Sequence, residues 1–403
     1  MRLAANPDGV FRYLTAGESH GPALVGILDG LPANLRLDVA RIDAALAARQ
    51  GGYGRGGRMA IERDAVEFLA GLRGGRTLGS PIAVVIRNRD YETPKNRALM
   101  DPLTGGGEPL TRPRPGHADY AGAMKYRHRD LRDVLERASA RETAMRVCLG
   151  AICGQFLEAL GIVTHSCVER IGTVEAPIDG EWDDESVAAS EVRCPDAEST
   201  RRMMEEIDRA REAGDTLGGR FVVRVDGVPP GIGSNRQPDT RLDGILAGAL
   251  MATQAVKAVE VGAGADVAEL PGSRAHDVFL PADDGAAGAA VRRASNRAGG
   301  IEGGMSNGEP IILRVSVKPI PTLMRALPSV DLRTGEVAPA TVVRSDVCVV
   351  PAASIIGEAM VRLALTGPVL EKYGGDSIEE TLDNLRRSRE AAERLFETTG
   401  GGA

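Results

Sequence analysis

Two of the five histidines in this 403-residue chain lie where a ring could exchange a proton with a ligand. His20 stands in "GESHG", among glycines that give its ring no packing wall, and His117 follows two arginines and a Pro-Gly turn in "TRPRPGHADYAGAMKY". A bound anion would favour the charged ring, so each histidine is a candidate proton donor to an anionic substrate. The alternative is a loop histidine that only hydrogen-bonds to backbone. The others, His128, His165 and His276, lack such a setting and are interpreted as structural or surface residues.

Arginine dominates the charge of the N-terminal part of the chain. Residues 1–150 contain 21 arginines and two lysines against 17 acidic residues, although the whole chain has a net charge of −7. In "RQGGYGRGGRM", Arg49, Arg55 and Arg58 lie among five glycines, where guanidinium forks and backbone N–H groups can converge on one anion. A solvated turn has the same composition. With only 3% aromatic residues and an acidic balance, the chain favours a small polyanionic ligand over nucleic acid.

Two later segments add groups that suit the same ligand. The helix predicted from "SARETAMRVCLGAICGQFLEALG" begins with a capping-box pattern at Ser139, and Arg137 and Arg141 flank its positively polarised end. An ordinary cap gives the same pattern. In "VVRSDVC", Asp346 is either a candidate base or merely the ion-pair partner of Arg344.

Several classes of site are not supported. No GxGxxG follows a strand, and neither GxxxxGK[ST] nor HExxH occurs, so nicotinamide, nucleotide-phosphate and zincin motifs are lacking. The five cysteines form no CxxC pair and are predicted to be buried thiols in a reducing compartment. The sequence "MRLAANPDGVFRYLT" has no apolar signal region, and no run of 18 apolar residues occurs. These observations predict a cytoplasmic protein without a membrane span or a metal site.

An internal repeat organises the elements that must position these residues. The stretch "AGESHGPALVGILDGLPANL" (16–35) matches "AGDTLGGRFVVRVDGVPPGI" (213–232) at seven of twenty positions, with His20 opposite Leu217. An "RLD" follows each copy, and "SPIAVVIRN" weakly echoes "EPIILRVSV". Each half is therefore predicted to run strand, turn, helix, glycine-rich loop, strand. Chance similarity among glycine turns is the alternative.

The pattern of apolar residues predicts the individual elements. "PALVGILDG" and "RFVVRVDGV" are typical of strands that end in Asp-Gly turns. Apolar stripes predict helices over 37–50, 139–161, 197–213, 241–259, 352–373 and 376–397. The glycine-rich stretch 281–310 is predicted to be an irregular, mobile loop that orders over a ligand, and 398–403 a frayed tail.

Five motifs together resemble the chorismate synthase family over about residues 11–375. They are "GESHG", "RPRPGHADYAGAMKY", "ERASARETA", "NRAGGIEGGMSNG" and "RSDVC". The resemblance implies a carbon–oxygen lyase of the shikimate pathway, which supplies aromatic amino-acid biosynthesis. The family converts 5-enolpyruvylshikimate 3-phosphate to chorismate and phosphate by anti-1,4-elimination, with reduced FMN and no net redox change. A substrate with two carboxylates and a phosphate explains the excess of arginine.

The resemblance also implies roles for individual residues. His20, with Ser19 beside it, would protonate the departing phosphate, His117 would lie near flavin N1 and the C2 carbonyl, and Asp346 would act in proton removal near flavin N5. The implied substrate-binding residues are Arg49, Arg55, Arg58, Arg114, Arg141 and Arg344. The implied flavin contacts are Arg137, Ala138, Ser139, Gln254, Ala255, Gly303, Lys318, Pro319, Ile320, Pro321, Thr322 and Arg344. Ala138 and Pro321 stand where the family often has serine, and each removes a hydroxyl from the flavin site.

The fold implied by the resemblance is α+β. It is a single-domain β-α-β sandwich spanning 1–403, with helices packed between antiparallel sheets and halves, approximately 10–160 and 205–375, related by a pseudo-twofold axis. A homotetramer with sites completed at subunit contacts is implied as well. The lack of a nicotinamide motif favours an external flavin reductant, but reduction of the flavin by the enzyme itself with NADPH stays open.

Two other functions are weighed against this one. A non-catalytic flavin or phosphometabolite-binding protein needs the arginines but not His20, His117 and Asp346 together. A phosphotransferase would require a nucleotide motif that the sequence lacks.

Overall fold

The structure is a computed structural model that describes residues 11–56, 63–178, 180–281, 291–342 and 346–396. Its strands are β1 (Arg12–Ala16), β2 (Ala23–Asp29), β3 (Glu67–Ala70), β4 (Leu72–Arg73), β5 (Arg76–Thr77), β6 (Ile82–Arg87), β7 (Val163–Ile171), β8 (Val174–Glu175), β9 (Gly219–Asp226), β10 (Val256–Val261), β11 (Phe279–Pro281), β12 (Val291–Arg293), β13 (Ile301–Glu302), β14 (Met305–Ser306), β15 (Ile311–Val317), β16 (Pro328–Val330) and β17 (Val337–Pro339). Its α-helices are α1 (Val39–Gln50), α2 (Pro94–Met100), α3 (Asp119–Tyr126), α4 (Arg132–Ala138), α5 (Thr143–Ala159), α6 (Asp184–Ala189), α7 (Ala197–Glu212), α8 (Leu242–Met251), α9 (Gly272–Ala275), α10 (Val350–Tyr373) and α11 (Ile378–Glu393).

Two antiparallel sheets form the framework. One has the strand order β1-β2-β6-β3, and the other has the order β10-β15-β9-β7-β8. In β2 the residues alternate between buried and more exposed, so that Leu24 and Leu28 face the core. Strands β9 and β15, at the middle of the second sheet, carry longer buried runs. The predicted α+β class with antiparallel sheets is confirmed.

Helices α5 and α10 pack on these sheets at positions where glycine replaces a side chain. A Cβ on Gly26 of β2 would lie 2.5 Å from the sulfur of Met145 in α5, and a Cβ on Gly357 of α10 would lie 2.3 Å from the Phe221 ring in β9. Only glycine permits so close an approach. One hydrophobic cluster joins residues of both sheets with α1, α5, α8 and α10.

Helix α10 is long and apolar enough to cross a membrane by length and composition alone. However, 67% of its most apolar window is buried inside the protein. It is therefore placed as a core helix, with the sheet and α5 as its packing partners.

Most predicted helices form, but one prediction is wrong. The helix predicted over 241–259 ends at Met251, since Ala255 has a positive φ of 68° and Val256–Val261 pairs with β15. The irregular loop predicted over 281–310 is wrong in part, because β12, β13 and β14 lie in it. Residues 282–290 and the predicted tail 398–403 lie outside the described residues.

All five cysteines are free and buried, as predicted. Burial raises the pKa of each thiol, to about 12 for Cys153 and Cys348. We therefore expect no thiol to react with a disulfide reagent at pH 8 in the native protein, and five thiols per chain to react after unfolding in denaturant. A thiol titrating rapidly in the native state would contradict this prediction.

Candidate active site

The turn between β1 and β2 carries His20 and is fastened to α4. The backbone N–H of Ser19 donates to the Glu136 carbonyl at 3.1 Å, and the backbone N–H of His20 donates to the Glu136 carboxylate at 2.8 Å. The ring Nδ1 of His20 lies 2.8 Å from the same carboxylate, and Nε2 lies 3.8 Å from Asp90. Ser139 donates its hydroxyl to that of Ser19 at 3.1 Å. The structure thus brings Ser139 to Ser19 and His20, from which it is separated by about 120 residues of sequence.

A buried carboxylate organises two of the predicted substrate-binding arginines. Asp64 accepts from Nη1 of Arg141 at 2.6 and 2.7 Å and lies 4.0 Å from Nη1 of Arg49. Asn88 accepts from Nε of Arg141 at 2.9 Å, and it donates to the carbonyls of Glu18 and Gly21 in the His20 turn. Arg141, Asp64, Asn88 and the His20 turn therefore form one hydrogen-bonded unit, with Arg49 close to it.

Arg49 has a donor that no other described residue uses. It donates from Nε to Thr143 at 2.9 Å and from Nη2 to the Ala140 carbonyl at 2.7 Å, whereas Nη1 is buried with no hydrogen-bond partner among the described residues. Burial lowers the pKa of this guanidinium, and the neighbouring Arg55 lowers it further. A buried cation with an unused donor is stabilised by an anionic ligand.

Asp346 is held beside the glycine-rich loop. Its carboxylate accepts from Nη1 of Arg55 at 2.7 Å and from the backbone N–H of Gly56 at 2.6 Å. The predicted partner Arg344 and the predicted substrate ligand Arg58 lie outside the described residues. Within the described part of the chain, Asp346 is paired with a different arginine from the one that the sequence suggested.

His117 lies in a second group, the His117 cluster, made of Arg114, His117, Asp119 and Thr322. Nδ1 of His117 is 2.5 Å from Asp119 and 3.0 Å from Nη2 of Arg114. Arg114 donates to Asp119 at 2.9 and 3.0 Å and to the Thr322 hydroxyl at 3.1 Å. Burial alone would raise the pKa of Asp119, but the hydrogen bonds from His117 and Arg114 hold that pKa well below its usual range. Lys318 reaches the adjacent Gly116 carbonyl at 2.5 Å.

The remaining predicted flavin contacts fall into three places. Arg137 donates to the carbonyls of Thr15 and Gly17, next to Ser139 and Ala138. Gln254 donates to Glu142 at 3.4 Å, its Oε1 is buried with no partner among the described residues, and the following Ala255 accepts from the backbone of Lys318. The segment that continues from Lys318 brings in Pro319, Ile320, Pro321 and Thr322. Gly303 lies in the turn of the β13–β14 hairpin. The carbonyl of the following Gly304 accepts a hydrogen bond from the backbone N–H of Leu242, the first residue of α8.

The turn 215–217, the counterpart of the His20 turn, connects the two groups. The Leu217 N–H donates to the carbonyl of Val347, next to Asp346, and the Thr216 hydroxyl donates to the Ile320 carbonyl at 2.8 Å. Through this turn the His117 cluster is linked to Asp346. Asp346 belongs to the other group, the arginine-rich cluster, made of Arg49, Arg55, Arg141, Asp64 and Asp346.

Four polar residues of the site were missed from the sequence: Asp64, Asn88, Asp119 and Glu136. All four are buried, which is costly for such groups unless they are paired. The "HAD" spacing two residues after His117 was a usable signal for Asp119. The capping box at Ser139 is only half formed: Ser139 accepts from Arg141, but the Glu142 carboxylate is bonded to Thr15 and Arg146 instead.

Asp119 gives a prediction about stability. Because its pKa is lower in the folded than in the unfolded chain, the ionised carboxylate stabilises the fold above about pH 4, and this contribution is lost as the pH falls further. We expect Asp119→Asn to reduce the free energy of unfolding by about 2 kcal/mol at pH 7. The difference from wild type should shrink below pH 4 in urea titrations. The exposed Asp266→Asn serves as the control, and a pH-independent difference would contradict the prediction.

The fold and the site together define a class of protein: an α+β protein in which buried arginines lie close to histidine and carboxylate side chains, an arrangement suited to an anionic ligand. The comparisons with known proteins give the family. The family model of chorismate synthase matches residues 11–370. The chain belongs to the chorismate synthase family.

The relatives match over nearly their whole length. A chorismate synthase of Desulforudis audaxviator is 52% identical over 98% of this chain and 100% of its own, and one of Thermobifida fusca is 50% identical over 94% and 98%. A crystal structure of chorismate synthase, 38% identical, covers 96% of this chain with a TM-score of 0.77. The activity is accordingly that of a carbon–oxygen lyase in the shikimate pathway, forming chorismate and phosphate from 5-enolpyruvylshikimate 3-phosphate with reduced FMN.

Proposed function

We propose that the arginine-rich cluster holds the phosphate and carboxylates of the substrate. The observation that carries this proposal is the buried Nη1 of Arg49, a charged donor with no hydrogen-bond partner among the described residues. The substrate-binding set is Arg49, Arg55, Arg58, Arg114, Arg141 and Arg344. Its members in the described part of the chain are already oriented by Asp64, Asn88, Asp119 and Asp346, so little rotational freedom is lost on binding.

We propose that two groups move protons in this site. His20, supported by Ser19, donates a proton to the departing phosphate, and Asp346 acts in removal of the C6 proton. The Arg55 and Gly56 donors hold the Asp346 carboxylate in one orientation, as a positioned base requires. His117 supplies a positively polarised ring beside the flavin position.

The residues present fit a bound flavin. The unpartnered buried Oε1 of Gln254 can accept a hydrogen bond, and Lys318 and Arg137 suit a phosphate or a carbonyl oxygen. When bound, reduced FMN supplies electron density to the substrate and recovers it, without net redox change. The residues that would hold it are Arg137, Ala138, Ser139, Gln254, Ala255, Gly303, Lys318, Pro319, Ile320, Pro321, Thr322 and Arg344.

We also propose that the chain is one domain, 1–403, with a β-α-β sandwich built from two duplicated halves. The strand registers support the duplication. Leu28 pairs with Ile82 between β2 and β6, and the equivalent positions in the second half, Val225 and Ile311, pair between β9 and β15. The flanking strands correspond too, since the order β1-β2-β6-β3 matches β7-β9-β15-β10. A large hydrophobic cluster that spans both sheets favours one domain.

A third repeated phrase strengthens this proposal. Helices α5 and α10 begin at Thr143 and Val350, and the same spacing of 207 residues aligns "RAS" (137–139) with "RSD" (344–346). Ser139 beside His20 in one half then corresponds to Asp346 in the other. The base would then occupy, in the second half, the position that Ser139 occupies beside the acid in the first.

Three further properties belong to the proposal. The enzyme is a cytoplasmic homotetramer, its flavin is reduced by an external reductant, and it binds neither membrane nor nucleic acid. Support for the reductant comes from the missing nicotinamide motif. Bleaching of oxidised FMN by purified protein with NADPH would show instead that the enzyme reduces its own flavin.

The activity is tested with purified protein, chemically reduced FMN and 5-enolpyruvylshikimate 3-phosphate without oxygen. We expect phosphate release and chorismate formation in equal amounts. Folded protein that binds flavin but forms no product would leave the alternative of a flavin or phosphometabolite-binding protein.

Arg49 gives a prediction about binding. We expect Arg49→Met to raise the substrate dissociation constant about 10- to 100-fold, the effect of losing a charge-assisted hydrogen bond. The melting temperature should be maintained, because Asp64 keeps both bonds from Arg141. Arg41→Met, on the exposed face of the same helix, is the matched control. If calorimetry showed the same substrate affinity for Arg49→Met as for the wild type, Arg49 would not be a substrate-binding residue.

A further inference from the structure

We propose that Glu136 is a positioning residue for His20: its buried carboxylate holds the ring so that Nε2 carries the proton that the departing phosphate receives. This inference rests on the proposed role of His20 as the acid. Glu136 itself would not touch the substrate.

The geometry around Glu136 controls both the backbone and the ring of His20. The Glu136 side chain is 5% exposed, and its carboxylate accepts from the backbone N–H of His20 at 2.8 Å. The same carboxylate lies 2.8 and 3.0 Å from the ring Nδ1. Because Glu136 holds both the backbone N–H and the ring Nδ1 of His20, the ring has few other orientations.

The chemistry of a carboxylate fixes which ring nitrogen is available. An ionised carboxylate only accepts hydrogen bonds, so beside an ionised Glu136 the Nδ1 atom carries a hydrogen in both the neutral and the charged ring. Nε2 is then the atom that gains and loses the second proton. As the C3–O bond breaks, its electron pair stays with the phosphate oxygen, which takes the Nε2 proton. The neutral ring keeps its Nδ1 hydrogen on Glu136.

Other charged groups also face this ring. Asp90, on the turn 89–92, lies 3.8 Å from Nε2 with its side chain 19% exposed, and Glu18 lies two residues earlier in the same turn. Arg141 is linked to the turn through Asn88, and its backbone N–H is linked to Ser19 through Ser139. Among these groups Glu136 is the one that hydrogen-bonds to the ring at short range, so its charge has the largest effect on the charged ring.

The internal repeat supplies an independent observation. The spacing of 197 residues that aligns the two turns places Leu217 opposite His20, and the spacing of 207 residues that aligns α5 with α10 places Val343 opposite Glu136. Where the histidine is replaced by an apolar residue, the glutamate is replaced as well. A glutamate needed only to fasten the turn would be equally useful in both copies, whereas a glutamate that serves the histidine is needed in one.

The test uses Glu136→Gln, which keeps the volume and an acceptor oxygen but removes the charge. We expect kcat to fall about 10- to 100-fold with KM within about threefold of wild type. The alkaline limb of the kcat profile should move to lower pH, because loss of the carboxylate disfavours the charged ring. Glu136→Asp, which keeps the charge, should leave that limb in place. Glu358→Gln, a partly buried glutamate of α10 paired with Arg362, controls for general loss of an internal carboxylate.

A double-mutant cycle separates this inference from the role of His20. In the His20→Ala background, Glu136→Gln should cause no further loss of kcat, since Glu136 acts through the ring. An equal loss in both backgrounds, or a wild-type kcat and pH profile in Glu136→Gln, would overturn the inference. Wild-type turnover in His20→Ala would instead overturn the proposed role of His20, and the inference with it. If Glu136→Gln does not fold, the pH profile of Glu136→Asp decides: a shifted limb would contradict the proposal.

Discussion

Replacing His20 by alanine is expected to lower turnover by ~10²-fold or more, the scale on which a positioned proton donor contributes. The substrate dissociation constant should change little, because the donors proposed to bind the anion belong to the arginines. Without the ring, the phosphate must leave unprotonated or take its proton from water. The measurement is phosphate release under anaerobic conditions with reduced FMN, at saturating substrate.

The control for this prediction is His276→Ala, an exposed histidine far along the sequence that belongs to no cluster described above. It should retain wild-type turnover. If His20→Ala also retained it, the phosphate would depart without help from this ring, and the contacts with Glu136 would be purely structural.

The sequence predicted the framework well where local pattern decides the structure. The alternation in "ALVGILD" and the Asp-Gly that follows gave β2 and its turn, and both repeated strands form as expected. The error at 241–259 shows the limit. The run from Leu242 to Val261 is apolar with both helical and alternating periods, and only pairing with β15, some fifty residues later, decides where α8 ends.

The residues of the site also fall into two groups, those that the local sequence indicates and those that only distant contacts identify. Glycine and arginine around His20, Arg49 and His117 marked these residues as unusual, because glycine supplies no side chain to fill a core and arginine is seldom buried. The carboxylates that orient them could not be found so easily, because Glu136 is 116 residues from His20 and Asp64 is 77 residues from Arg141. Only the fold brings them together.

His117→Ala is expected to lower turnover ~10²-fold or more as well, but for a different reason. The ring lies against Asp119 and Arg114, in a group that also contacts Thr322 and neighbours Lys318. We propose that this ring faces the reduced flavin, where a positive group stabilises the anionic form. Its loss should therefore weaken binding of reduced FMN more than binding of oxidised FMN.

This difference distinguishes His117 from His20. We propose to titrate reduced and oxidised FMN into each variant. His117→Ala should lose affinity mainly for reduced FMN, whereas His20→Ala should bind each flavin state as tightly as the wild type does. The substrate affinity of His20→Ala should be close to wild type, because Arg49 and Arg141 are held by Asp64, Thr143 and Asn88 rather than by this ring. If His117→Ala lost affinity for both flavin states equally, the ring would act by shape alone, and its charge would have no part in the reaction.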